Sequence, residues 1–182
     1  MDKNQIDAFR KGNHEVFGRI LSHSLEPCLK LAIRLVGSRQ DAEDIVQDCF
    51  IRIWEKRRTV KNAESFDGWL RRIVINRCYD YLRREKRKVR YIDETRSVEK
   101  NNYGGRDEAD RGINISDSNG ILEIIVGRLS PKQRIVFILS EIEEMSIKEI
   151  EKITGMTGYS IKSNCYHARK KAKEIYYSIE RR

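Results

Sequence analysis

Apolar residues in this chain recur every three to four positions, and no stretch sustains the strict alternation of a half-buried strand. The segment QDAEDIVQDCFIRIWEK, residues 40–56, shows this most cleanly. Ala42, Ile45, Val46, Cys49, Phe50, Ile53 and Trp54 keep the i, i+3, i+4, i+7 frame without a miss, which predicts a helix with one buried face. A second helix is predicted over FDGWLRRIVINRCYDYLRREKR, residues 66–87, with Leu70, Ile73, Val74, Cys78 and Tyr81 on its core side. Residues from about 5 to 90 therefore form a first block of three or four helices. The periodicity then stops. Residues 91–119 are poor in apolar positions, contain a Gly-Gly pair and many Asn, Asp and Ser, and read as a flexible linker.

Periodicity returns from Gly120 to the end, with clear punctuation. In LSPKQR, Ser130 caps a helix, Pro131 suits its first position and Gln133 completes a capping box. Ser146 and Glu149 form another box, Gly155 ends that helix, and Thr157 caps the last one. Two helices joined by a short turn at Gly155 and Met156 describe a helix-turn-helix, with Ile147, Ile150, Ile153, Met156, Ile161 and Cys165 packed between them. The fold class is all-α: two small helical domains, 5–90 and 120–182, joined by a flexible linker over 91–119.

Charge narrows the partner. The 182 residues carry a net charge of +9, and 36% are charged, which favours an anionic partner such as nucleic acid or an acidic membrane surface. No apolar run approaches a membrane span, and MDKNQIDAFRKG has no signal-peptide apolar segment, so a cytoplasmic protein without membrane insertion is expected. The charge is uneven. Residues 71–90 hold nine Arg or Lys against two acids, whereas 91–119 hold seven acids against four bases. The linker is either kept off DNA, or laid in a basic channel, or merely a soluble tether.

Three faces carry candidate chemistry. On the helix of residues 66–87, Trp69, Arg72, Asn76, Tyr79 and Arg83 fall within roughly 80° of arc, opposite a core side. Flat rings, an amide and guanidinium groups together can stack on bases and bond to them and to phosphates. On the 40–56 helix the outer face carries Asp41, Glu43, Asp44, Gln47 and Asp48, an acidic surface in a basic protein. It is either a solvated face favoured near a helix N-terminus or a docking face for a basic partner. On the last helix, Tyr159, Ser160, Lys162, Ser163, Tyr166, His167, Arg169 and Lys170 lie outside the apolar stripe. Short polar groups at the helix start suit base edges in a major groove, and the later cations suit phosphates.

The stretches RLVGSRQDAEDIVQDCFIRIW, FDGWLRRIVINRCYDYLRR and LSPKQRIVFILSEIEEMSIKEIEKITGMTGYSIKSNCYHARKKAKE together resemble bacterial sigma factors of the compact extracytoplasmic-function (ECF) group, in family order. The resemblance implies that Asp41, Glu43, Asp44, Gln47 and Asp48 dock on the clamp helices of the RNA polymerase largest subunit. It implies that the helix with Trp69 and Asn76 reads and opens the start-proximal (−10) promoter element, with Asn62, Phe66 and Asp67 as candidates for a pocket holding a flipped base. It implies that the final helix reads the upstream (−35) element, that the linker threads a polymerase channel, and that the flap region is a second contact. An anti-sigma factor is the family's usual inhibitor. In the last helix Asn164, Tyr166 and His167 stand where the family commonly has Arg, His and Arg, so the upstream base sequence read does not carry over.

Competing readings are weaker. A conventional helix-turn-helix regulator explains the second block but neither the Trp69 face nor the acidic helix. An enzyme would need a metal cluster, a phosphate-binding glycine loop or a partnered nucleophile, and none is present in the sequence. Cys28, Cys49, Cys78 and Cys165 lie far apart, and His14, His23 and His167 do not complete a metal site with them, so reduced core thiols and no metal or cofactor are expected. A monomer is preferred.

Overall fold

The computed structural model describes residues 3–60, 66–96 and 118–181, and among them every regular element is helical. The chain divides into two compact units, Met1–Cys78 and Tyr79–Arg182.

The first unit begins with α1 (Lys3–Arg10) and α2 (His14–Val36). Asn13 caps α2 by accepting the Val16 N–H at 3.0 Å. Gly37 ends it in the left-handed region (φ 78°), where a side chain would be strained, and Ser38 at once caps α3 (Arg39–Glu55). A short 3-10 turn, Arg57–Thr59, follows, and then α4 (Phe66–Arg96) begins. The seven apolar positions predicted on α3 face inward. Six are buried and Trp54 is half-buried.

On α4 the buried stripe is broader than predicted. Leu70, Val74 and Cys78 are buried as expected, Ile73 and Tyr81 are only half-buried, and Ile75 and Leu82 are buried as well. Phe66 extends the same i+4 ladder at its start and is 2% exposed. α4 also outruns the predicted boundary at residue 90. After Gly68 no glycine or proline interrupts the sequence before Gly104, and helix continues to Arg96. The remainder of the expected linker, 97–117, lies outside the described residues.

The second unit contains α5 (Ser118–Gly127), α6 (Pro131–Phe137) running into a π-helical turn (Ile138–Ile142), α7 (Ile147–Thr154) and α8 (Gly158–Glu180). Both predicted capping boxes are present, at Ser130/Gln133 and at Ser146/Glu149, and Gly155 closes α7 at φ 71°. Thr157 caps α8 through the Ser160 N–H. Ile150, Ile153 and Ile161 pack inside the helix-turn-helix. Ile147, expected there, is 37% exposed because it opens α7 at the rim of the unit. The long α8 continues its apolar stripe through Ala168, Ala172 and Ile175 against Ile124, Ile125 and Leu129.

Cys28, Cys49 and Cys78 are free and buried in the first unit, and Cys165 is half-buried in the second. Burial pushes the Cys28 thiol up to about 11 and that of Cys49 up to about 12, and raises Cys78 further. The thiolate is the reactive form. With a thiol-reactive disulfide at pH 8, Cys165 is therefore expected to react in the native protein and the other three only on unfolding. Rapid native reaction of more than one thiol would contradict this packing.

Candidate nucleic-acid and docking interfaces

The outward face of α4 stands opposite its buried stripe. Arg72 and Arg83 are exposed, and Trp69, Asn76 and Tyr79 are half-buried, so all five predicted residues keep solvent access. The Arg83 guanidinium lies 5.6 Å from the Tyr79 ring centre. Burial raises the Tyr79 phenol above its ordinary value, against the opposing pull of Arg83, so it is a neutral donor at pH 7. Trp69 leans on Phe66, with ring centres 5.8 Å apart. Asp67 is exposed in the first turn. Asn62 lies outside the described residues. Phe66, expected beside a flipped-base pocket, is 2% exposed, and its ring packs in the core beneath Trp69.

The acidic face of α3 divides. Asp41 is half-buried in the first turn, where its N–H donates to Ser38 Oγ. Glu43, Asp44, Gln47 and Asp48 are exposed. Glu43 pairs with Arg39 at 2.8 Å on the same helix, and Asp48 pairs with Arg77 of α4 at 2.6 Å. Asp44 has no ion-pair partner among the described residues. The sequence reading missed what borders this face. A groove of about 590 Å³ runs between α2 and α3, floored by Leu21, Leu29, Val46 and Phe50, with Glu43 and Gln47 in its wall. Its edges are Leu25, 46% exposed, and Ile51, 53% exposed. The signal was available: Asp44, Gln47, Asp48 and Ile51 keep one i, i+3, i+4, i+7 frame, and Leu21, Leu25 and Leu29 repeat every four residues. An apolar floor beside a polar wall is a form of groove that takes the apolar face of an amphipathic helix.

On α8, Tyr159 (86%) and Tyr166 (65%) are the most exposed large hydrophobic side chains, and Lys162, His167, Arg169 and Lys170 are exposed beside them. Ser160 and Ser163 are half-buried. Asn164, in the family's Arg position, donates to Ser160 O at 2.7 Å and so steadies the helix start. Arg169 is bound at 2.8 Å by Glu141 of the π turn, which also accepts from Ser140 and lies 3.5 Å from Cys165 Sγ. The hydrogen bond from Arg169 is the main cause holding the Glu141 carboxyl below its ordinary 4.5. The pair's stabilisation is thus complete above pH 4.5 and fades as pH falls through the lowered folded value. Glu141→Gln is expected to cost about 0.5–1 kcal/mol at pH 7, or about 2–4 °C in Tm. In thermal melts, that deficit is expected to shrink towards pH 3.

Two family matches decide the assignment. Residues 22–88 match sigma-70 region 2, and residues 121–171 match sigma-70, region 4. The chain belongs to the sigma-70 family. Within it, the sigma factor is similar to the ECF RNA polymerase sigma factor SigW of Bacillus subtilis, at 28% identity over 176 residues and 93% of both chains. It is 29% identical to the RNA polymerase sigma-E factor of Streptomyces coelicolor, over 80% of this chain and 77% of that one. Among solved structures it resembles the sigma factor RpoE of Bartonella quintana in complex with the anti-sigma factor NepR, with TM-score 0.63, 25% identity, and coverage of 88% and 96%. It shares its fold with CnrH, solved with the cytosolic domain of CnrY, at TM-score 0.65, 20% identity and 97% of both chains. The sigma factor is an ECF-type member, and its work is promoter-specific initiation of transcription with RNA polymerase. No helix among the described residues is long and apolar enough to cross a membrane, and no group of three or more metal-ligating side chains is present among them.

Proposed function

We propose that this sigma factor divides initiation among its three faces. The acidic wall and apolar groove of α2 and α3 dock on clamp helices of core polymerase. The outward face of α4 captures bases of the displaced strand at the start-proximal element. The exposed face of α8 reads the upstream element as duplex, with the second unit resting on the flap region. The observation that carries this reading is the α4 face, where Trp69 and Tyr79 stay accessible among arginines. Every unstacked base offers a π surface and a phosphate beside it. A duplex reader has little use for such a face.

Magnitudes assign the remaining work to polymerase. Opening about ten base pairs costs on the order of 10–15 kcal/mol, at a mean near 1.4 per step. Each captured base returns roughly 1–3 kcal/mol. One or two captured bases do not open a promoter, so the free sigma factor binds promoters weakly and performs no catalysis of its own. It works as a monomer in the cytoplasm, where polymerase and chromosome are. An anti-sigma factor that fills the α2–α3 groove would keep it from polymerase.

Run-off transcription on genomic fragments from the source organism, with core bacterial RNA polymerase, tests this. Discrete transcripts that need both components are expected. No association with core polymerase in the same samples would refute it.

A further inference from the structure

The family match begins at residue 22, and α1 lies ahead of it. Yet α1 is packed as firmly as the rest of the first unit: Ile6 is 3% exposed and Phe9 is fully buried. The Phe9 ring meets Phe66 edge to face, with centres 5.8 Å apart and planes at 87°. Phe66 in turn supports Trp69 at 5.8 Å. Phe9 also touches Phe17 at 6.0 Å and Trp54 at 6.3 Å. The turn after α1 reaches the other flank of the same region. Gly12, at φ 89°, packs on Arg57, where an added Cβ would lie 3.4 Å from Nε. Arg57 is pinned in turn, its guanidinium 4.6 Å from the Trp54 ring centre and its Nη1 donating to Trp54 O at 2.8 Å.

α1 and its turn therefore grip the chain at Arg57 and at Phe66, on both sides of the segment that leads into α4. Edge-to-face ring pairs have a preferred geometry as well as buried area, so this contact sets the tilt of Phe66 and through it the seat of Trp69. We propose that α1 is a brace for strand capture, with Phe9 a positioning residue that acts on Trp69 through Phe66. The inference rests on the reading of α4's outward face given above. A ring held in place before binding loses less freedom when a base stacks on it. Misplacement of a recognition group by as little as an ångström has large effects on function.

The test uses holoenzyme with core polymerase and the single non-template strand of a promoter mapped by run-off transcription. Strand affinity and core affinity are measured for Phe9→Leu, Trp69→Ala, the double variant, and Ile6→Val as a control for α1 packing. All are compared at a temperature where circular dichroism shows each variant folded. Phe9→Leu keeps apolar bulk but removes the ring edge. It is expected to weaken strand capture about tenfold with core affinity unchanged, to add nothing to Trp69→Ala, and to differ from Ile6→Val, which leaves capture intact. In the free sigma factor carrying Trp54→Phe, where Trp69 is the sole tryptophan, Phe9→Leu is expected to increase acrylamide quenching of its fluorescence. Unchanged capture, losses that multiply in the double variant, or core affinity falling in step with capture would each overturn the brace. If Trp69→Ala itself captures the strand normally, the reading of the α4 face has failed, and the brace falls with it.

Discussion

Replacing Trp69 and Asn76 together with alanine is expected to leave polymerase binding intact and to collapse promoter opening. Loss of one stacked base removes about 1–3 kcal/mol, and loss of one amide hydrogen bond about 1 kcal/mol more. The open-to-closed ratio should then fall by roughly 30- to 1,000-fold, since each 1.4 kcal/mol is tenfold. Permanganate reactivity of thymines in the start-proximal element measures that ratio, and co-elution with core polymerase measures docking. Arg72 and Arg83 remain on the same face in the variant, so attraction to phosphate persists and the closed complex should still form. Equal losses of opening and of docking would show that α4 faces polymerase rather than the opened strand.

The second large effect lies on α3, and the structure chooses the substitution. Asp48→Lys would remove the partner of Arg77, whose Nε is already buried without a hydrogen bond. Its effect would mix docking with folding. Ile51→Glu and Asp44→Lys avoid that difficulty, because both residues are exposed and neither closes a described ion pair. Burying an isoleucine side chain is worth about 1.5–3 kcal/mol, and forcing a carboxylate into the same apolar contact costs more. Ile51→Glu is therefore expected to weaken core association at least about 30-fold, with the melting temperature unchanged. Asp44→Lys replaces attraction by repulsion toward a basic partner and should act mainly on the association rate, with a strong dependence on salt. Core affinity unmoved by both would place polymerase elsewhere on the first unit.

Much of the fold was legible because its determinants are local. Ser130 with Gln133, Ser146 with Glu149, and Gly155 with Thr157 are caps formed within a few residues, and each appears where the sequence put it. The burial of Phe66 was also visible in the sequence. Phe66, Leu70, Val74, Cys78 and Leu82 form one ladder of fours, and a ring at its foot belongs to the core. The acidic residues of α3 were legible as a face, but the groove beside them needed α2 laid against α3.

The chain order alone thus determined an all-α protein, the two helical blocks, most helix ends, and most of the residues on α3, α4 and α8 that point away from the core. Those features follow from the 3.6-residue period and from hydrogen bonds closed within one turn. Tertiary structure alone decided that Asp48 is held by Arg77, that Arg169 is held by Glu141, and that Leu25 and Ile51 edge one groove. It also decided that Phe9 reaches Phe66 across 57 positions of sequence. Each of these joins residues whose separation carries no period, so only the packing of one helix on another brings them together.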